Sequence, residues 1–414
     1  MSRRTGMPSR FISSEIYRET GYGSNHPLAI QRIGTVLSLC EQLGWLEPHG
    51  ARAYVDSPVA TLDDLLKLHA PDYVAALQAA ETGGVSAAMR ERYRIGTMEN
   101  PVFKGLFRRA STSVGGSILA ARLAAEGGIA YHPSGGTHHG MRDHASGFCY
   151  FNDPAFAVLT FLEQGFERVL YVDLDAHHGD GVEAAFRGHD DVFLISIHEE
   201  NRWPNTGRLD DRSTGNARNI PVPRELNDTE FDFLLDQAVL PLARRFAPQA
   251  VVVTCGADGL AGDPLSAMAL SNGCLWDAVM RLAALSPSTV VLGGGGYNPW
   301  TVARCWAGLW GRLSDQAIPD ALPPESVALL RALDCDLVDD EDRLPRWYTT
   351  LVDPRNDGPV RERVKEIAAA VLAPAAPTGP TPHEADAGTA ATTETGTETG
   401  TGTGTTRFSE DVSA

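Results

Sequence analysis

YVDLDAHHGDG, residues 171–181, sets five titratable side chains into eight positions directly behind an apolar run. Val169, Leu170, Tyr171 and Val172 read as a strand buried on both faces, as strands of parallel sheets are. Asp173, Asp175 and His177 follow at i, i+2 and i+4, and along extended chain such residues share a face. A cluster of this kind repels itself and is costly to bury uncompensated. A cation among the side chains removes the conflict. Oxygen and imidazole donors without cysteine suit zinc, and a catalytic zinc takes three protein ligands and keeps one position open. Asp175 and His177 offer two; Asp258, in TCGADGLAGDPL, offers the third. Calcium, magnesium or a neutral hydrogen-bond network are the alternatives for the pattern by itself.

Outward from this stretch, short runs rich in Val, Ile and Leu recur at Gly128–His132, Arg168–Val172, Val192–Ile197, Ala250–Thr254 and Thr289–Leu292. Helical patterns lie between them at Pro154–Gln164, Gly181–Phe186, Asp228–Phe246 and Asn272–Leu285. Strands alternating with helices predict an α/β domain with a largely parallel sheet. The polar residues sit after the strands: His138 and His139, then Asp173, Asp175 and His177, then Ser196 and His198, then Asp258, then the GGGGY loop. Open α/β sheets bind ligands at the carboxyl ends of their strands. Five segments aimed at one edge say more than any single motif.

Bulk properties narrow the classes. The chain has 414 residues and formal charge −18, which disfavours direct binding to nucleic acid. Its six cysteines form no CxxC pair and are too few for a disulfide framework in a chain this long. Neither a signal-peptide h-region nor an apolar run of about 18 residues occurs, so a cytoplasmic protein without a membrane span is expected. Arginine far outnumbers lysine, which occurs only at 67, 104 and 365, and this suggests a bacterial source. Residues 1–372 show no composition break and read as one domain. Residues 373–414 are rich in Thr, Gly, Ala and Pro and carry six acids against one arginine, so −13 of the charge belongs to the body. That tail has too little apolar surface to offset its ordering entropy and is expected to be disordered. Oligomeric state is not legible.

Other segments add chemistry. Adjacent imidazoles in PSGGTHHGM suit a general base and a general acid, each oriented by a carboxylate on its other nitrogen. Asp173 and Asp180 remain for that duty once the metal ligands are assigned. In GGGGYNPW the glycines, Gly295 among them, permit close backbone approach, and the Tyr297 hydroxyl can stabilise an oxyanion beside a metal, or simply pack at a tight turn. Gly147-Phe148 and Trp203 are candidates for the walls of an apolar slot. Arg32 and Arg304 are either buried ion-pair partners or solvated helix charges, the latter being the default reading. No GxSxG elbow, HExxH motif or Walker A loop is present.

Taken in order, THHG…SGFCYFND, YVDLDAHHGDGVEAAF, LISIHE, CGADGLAGDPL and LGGGGYNPWTVARCW resemble the zinc-dependent histone deacetylase family, and within it the acetoin utilisation branch. The resemblance covers roughly residues 10–350. It implies an arginase/deacetylase-like three-layer α/β fold with a central, mostly parallel sheet of about eight strands. It implies one zinc on Asp175, His177 and Asp258, tandem histidines at 138 and 139 oriented by Asp173 and Asp180, and a carbonyl-polarising tyrosine at 297. It further implies monovalent cations, usually potassium: one matching Asp173, Asp175, His177, Ser196 and Ile197, a second matching Phe186 and Val192. The activity implied is removal of acetyl from Nε-acetyl-lysine of a protein, an acetylated acetyl-CoA synthetase being one such partner. Here the family's usual PGHHA reads GGTHHG, Trp203 stands where a phenylalanine usually walls the tunnel, and Glu99 in GTMENPVF is the candidate for gripping the substrate backbone. A small acetylated amine such as an acetylpolyamine is the second substrate class, favoured by an acidic body. A non-catalytic metal-stabilised interaction protein is the third reading.

Overall fold

The computed structural model describes residues 8–373 apart from 20, 48, 51 and 52. Eight strands form a single sheet: β1 (Ser9–Ser13), β2 (Val55–Asp56), β3 (Gly128–His132), β4 (Val169–Asp173), β5 (Val192–Glu199), β6 (Ala217–Val222), β7 (Ala250–Thr254) and β8 (Ser288–Leu292). Their order is β2-β1-β3-β8-β7-β4-β5-β6 and every pairing is parallel.

Alternation along the central strands separates two faces. Leu170, Val172, Ile195, Ile197, Val251, Val253 and Val291 pack on one side with the helices Ile33–Gln42, Asn272–Ala283, Pro299–Leu313 and Glu362–Leu372, and with the rod from Asp228 to Phe246. Val169, Tyr171, Val192, Leu194, Ala250, Val252 and Val290 pack on the other with the helices Leu106–Ala125 and Asp153–Glu163. This is the expected three-layer arrangement. Each fully buried Val, Leu or Ile contributes roughly 1.5–3 kcal/mol, so both layers are held strongly to the sheet.

All five expected strands form, and three others join them. β1 (SRFIS) has Phe11 and Ile12 between polar residues, β2 is two residues long, and β6 (ARNIPV) carries Arg218, Asn219 and Pro221. β6 is an edge strand, where one side of the ladder is free and proline is tolerated. The segment Asp228–Phe246 is one helical rod, but its middle turn, Leu235–Val239, is π-helical. Pro241 follows at once; its ring brings no N–H to the ladder, and a widened turn accommodates that loss. The 373–414 tail lies, from residue 374 on, outside the described residues. Because the strands are parallel, all their carboxyl ends open on one edge, and the candidate site is built there.

Candidate metal centre and active site

Asp175 and His177 lie just past the end of β4, Asp258 just past β7, its sheet neighbour. One donor atom from each of the three falls within 4.8 Å of the others, and all three residues are buried. The His177 Nδ1–H lies 2.8 Å from Asp258 Oδ2 and 3.2 Å from Asp175 Oδ1. Burial opposes a charge on His177, yet the two carboxylates outweigh it and lift its pKa to about 10. Burial and the neighbouring Asp175 raise Asp258 to about 6. Two carboxylates around one histidine thus demand positive charge, and a divalent cation meets that demand with the donor set zinc accepts.

Backbone N–H groups hold the carboxylates in place. Ala176 donates to Asp258 (3.0 Å) and Gly295 to Asp175 Oδ2 (2.5 Å). A Cβ at residue 295 would overlap the Asp258 carboxylate, so only glycine lets the loop after β8 come this close.

The tandem histidines arrive from the loop after β3. His138 Nδ1 donates to Asp173 and His139 Nδ1 to Asp180, each at 2.7 Å. The imidazole centroids are 4.0 Å apart. For His138, burial opposes protonation, but Asp173 and Asp175 prevail and raise its pKa to about 9. For His139, burial and then the positive charge of His138 lower it to about 4. Tyr171 Oη also donates to Asp173, at 2.6 Å. Asp153, the first residue of its helix, accepts the N–H groups of Gly136 (3.0 Å) and Thr137 (2.8 Å) and fixes the loop. Tyr297 follows β8; burial first, then Asp258 and Asp175, push its hydroxyl pKa well up, so it stays a donor.

Residues 26–313 match the model of the histone deacetylase domain. Acetoin utilization protein AcuC of Bacillus subtilis (strain 168) is 33% identical over 332 residues, 77% of this chain and 85% of that protein. The chain belongs to the histone deacetylase family. Histone deacetylase 19 of Arabidopsis thaliana is 36% identical over 312 residues, 73% of this chain, and the match spans only 61% of that longer protein. The crystal structure of an HDAC homolog from Aquifex aeolicus superposes with a TM-score of 0.83 at 35% identity, covering 88% of this chain and all of that one. The same figures hold for an HDAC homolog complexed with SAHA.

Two cavities meet at this deacetylase-family centre. The outer one, about 730 Å³, is lined by Glu99, His139, Gly147, Phe148, His177, Trp203 and Tyr297 among others. The Trp203 ring stands edge-on to His139 with centroids 4.6 Å apart, and Phe148 stands edge-on to Tyr297 at 5.9 Å. Gly147 has φ +54°, and a Cβ there would strike both Trp203 and His139. Glu99 does reach the entrance, where it accepts the Gly147 N–H at 2.8 Å. The inner cavity, about 140 Å³, lies behind His138, His139 and Tyr297.

Arg32 and Arg304 overturn the solvated reading. Arg304 is fully buried, donates to the carbonyls of Thr350 and Leu351, and pairs with Asp353 at 2.8 Å. Arg32 faces the inner cavity, donates to Gly294 O (2.5 Å) and lies over the Trp306 ring. The Asp263 side chain accepts the N–H groups of Tyr297 (2.7 Å) and Leu265 (2.9 Å) and so ties the tyrosine loop to the Asp258 loop. His26, which packs on Phe148 and bonds Glu99 O (3.2 Å), was not singled out from sequence. Asp153 and Asp263 lie inside the quoted stretches SGFCYFND and CGADGLAGDPL, but nothing local in those stretches gave either a role; His26 lies in none of them, and only loop folding brings it in.

Of the residues matched to monovalent cations, Asp173 and Ser196 are register partners across β4 and β5, with Ile197 next along the strand. Ser196 Oγ lies 2.9 Å from His198 Nδ1. The carbonyls of Phe186 and Val192 both accept from the side-chain amide of Asn216.

Proposed function

We propose that this histone deacetylase-family chain hydrolyses the amide of Nε-acetyl-lysine in proteins, releasing acetate and free lysine, with one zinc ion at Asp175, His177 and Asp258. The observation that carries the reading is the convergence of that triad with two carboxylate-backed histidines and a protonated tyrosine on one cavity floor. A zinc ion held by the triad supplies Lewis-acid polarisation of the acyl oxygen and brings water to ionise near neutral pH.

The chain's own residues do the rest. His139 is neutral at pH 7, and with its Nδ1 proton fixed on Asp180 its Nε2 is the free acceptor. It takes a proton from the attacking water and returns it to the lysine nitrogen as the C–N bond breaks. His138 is hydrogen-bonded to Asp173 and its ring centroid lies 4.0 Å from that of His139, so positive charge on both imidazoles at once is disfavoured by their repulsion. The Tyr297 hydroxyl donates to the acyl oxygen as negative charge gathers on it. Phe148 and Trp203 wall the lysine methylenes and exclude water.

A protein substrate fits the entrance better than a polyamine does. Although the chain is acidic, the Glu199 carboxylate is held by Arg202 (2.6 Å) and Glu200 pairs with Arg363 (3.2 Å), while Arg224 is exposed on the rim. Of the three described carboxylates lining the outer cavity only Glu99 has no cation partner, and it accepts the Gly147 N–H, so the ammonium groups of a polyamine meet one such carboxylate there rather than a ring. Six unpaired, buried cysteines suit a reducing cytoplasm, and no helix among the described residues is long and apolar enough to cross a membrane. The test is a panel of acetyl-lysine peptides, acetylated acetyl-CoA synthetase and acetylputrescine assayed with defined zinc. Peptide or protein turnover should dominate; turnover confined to acetylputrescine would overturn the assignment.

A further inference from the structure

The carbonyls of Phe186, His189 and Val192 converge on one point. Phe186 closes the helix Asp180–Ala185, His189 lies in the turn beyond it, and Val192 opens β5. At that point sits Asn216 Nδ2, 2.8 Å from Phe186 O, 3.3 Å from His189 O and 3.2 Å from Val192 O. Asn216 directly precedes β6, and its own carbonyl accepts the Leu194 N–H at 2.9 Å, so its backbone is tied to β5 as well.

An amide NH2 has two hydrogens for three acceptors. Asn216 Oδ1, in turn, is buried without a partner. The opposite amide orientation would aim an oxygen at three carbonyl oxygens with no hydrogen between them, which is repulsive. The orientation is therefore fixed by the carbonyls even though it strands Oδ1.

We infer that the Asn216 amide takes the place of the second monovalent cation that family resemblance matches to Phe186 and Val192. Any ion ligated by these carbonyls would have to occupy the volume Nδ2 fills. The side chain welds the helix end, the turn and two strands together by hydrogen bonds, and the fold needs no ion here.

Crystals of the wild type and of Asn216→Ala soaked in rubidium chloride test this through anomalous difference maps. The wild type should show no peak among the three carbonyls. The variant, with the amide gone, should show one, and its midpoint of thermal unfolding should rise in potassium over choline by more than the wild type's does. A wild-type peak within contact of Phe186 O and Val192 O, with Asn216 turned away, would overturn the inference. So would a variant that leaves the carbonyls without an ion. If the variant does not fold, the wild-type map alone decides.

Discussion

Replacing Tyr297 by Phe removes a single oxygen from the floor of the outer cavity. Among the described residues that hydroxyl has no hydrogen-bond partner; the bonds of residue 297 run through its backbone N–H to Asp263 and its carbonyl to Cys335. The phenyl ring keeps its edge-on contact with Phe148. Folding stability should therefore stay within about 0.5 kcal/mol of wild type. Metal content should not change, because the hydroxyl is no part of the Asp175, His177, Asp258 set. What is lost is one preorganised donor to the developing oxyanion, which is worth roughly 2.7–4 kcal/mol, or about 100- to 1,000-fold in kcat. KM should move little, since the Phe148 and Trp203 walls remain. The assay is steady-state hydrolysis of an acetyl-lysine peptide, run beside thermal unfolding and metal analysis. A variant retaining metal and stability yet turning over within about threefold of wild type would refute the role given to Tyr297.

Other expectations are as direct. Asp180→Asn withdraws the carboxylate from His139 Nδ1 and should lower kcat roughly 100-fold with metal retained, measured by the same assay. Gly147→Ala puts a Cβ at φ +54° against Trp203 and His139; it should destabilise by about 1–2 kcal/mol in urea unfolding and raise KM. Glu230, buried and gripped by Arg361 at 2.6 Å, has its pKa lowered; burial opposes this but the Arg361 bonds outweigh it. A lowered carboxylate pKa gives stability that is present above the unfolded value of 4.5 and lost as pH falls through the folded value. Glu230→Gln should cost about 1–2 kcal/mol at pH 7, with Arg361 partly exposed, and flatten the acid limb of the stability profile; an unchanged acid limb would contradict this.

Much of the site was legible because its residues sit in short contiguous runs. The spacing of Asp173, Asp175 and His177 needs only extended chain to be read, and the position of each run after a strand places it on one sheet edge. That Asp258 belongs with them needed only the pairing of parallel strands, and β7 does lie beside β4. The strands β1, β2 and β6 escaped because β1 (SRFIS) holds only two apolar residues between polar ones, β2 has only two residues, and β6 is an edge strand whose Arg218 and Pro221 break the apolar pattern. Burial of Arg304 was illegible for a different reason: its partners Thr350, Leu351 and Asp353 lie more than 45 positions away, and no local rule joins them. Asn216 belongs with these, since nothing in GNARNI announces that an amide will fold back onto three carbonyls.

The account rests on one divalent ion between Asp175, His177 and Asp258. Elemental analysis of the purified protein, with anomalous maps collected on either side of the zinc absorption edge, measures it directly. The result expected is one zinc per chain in contact with all three side chains, lost together with activity in Asp258→Ala. Full activity in a protein stripped of metal, or two ions bridged within the site, would contradict it.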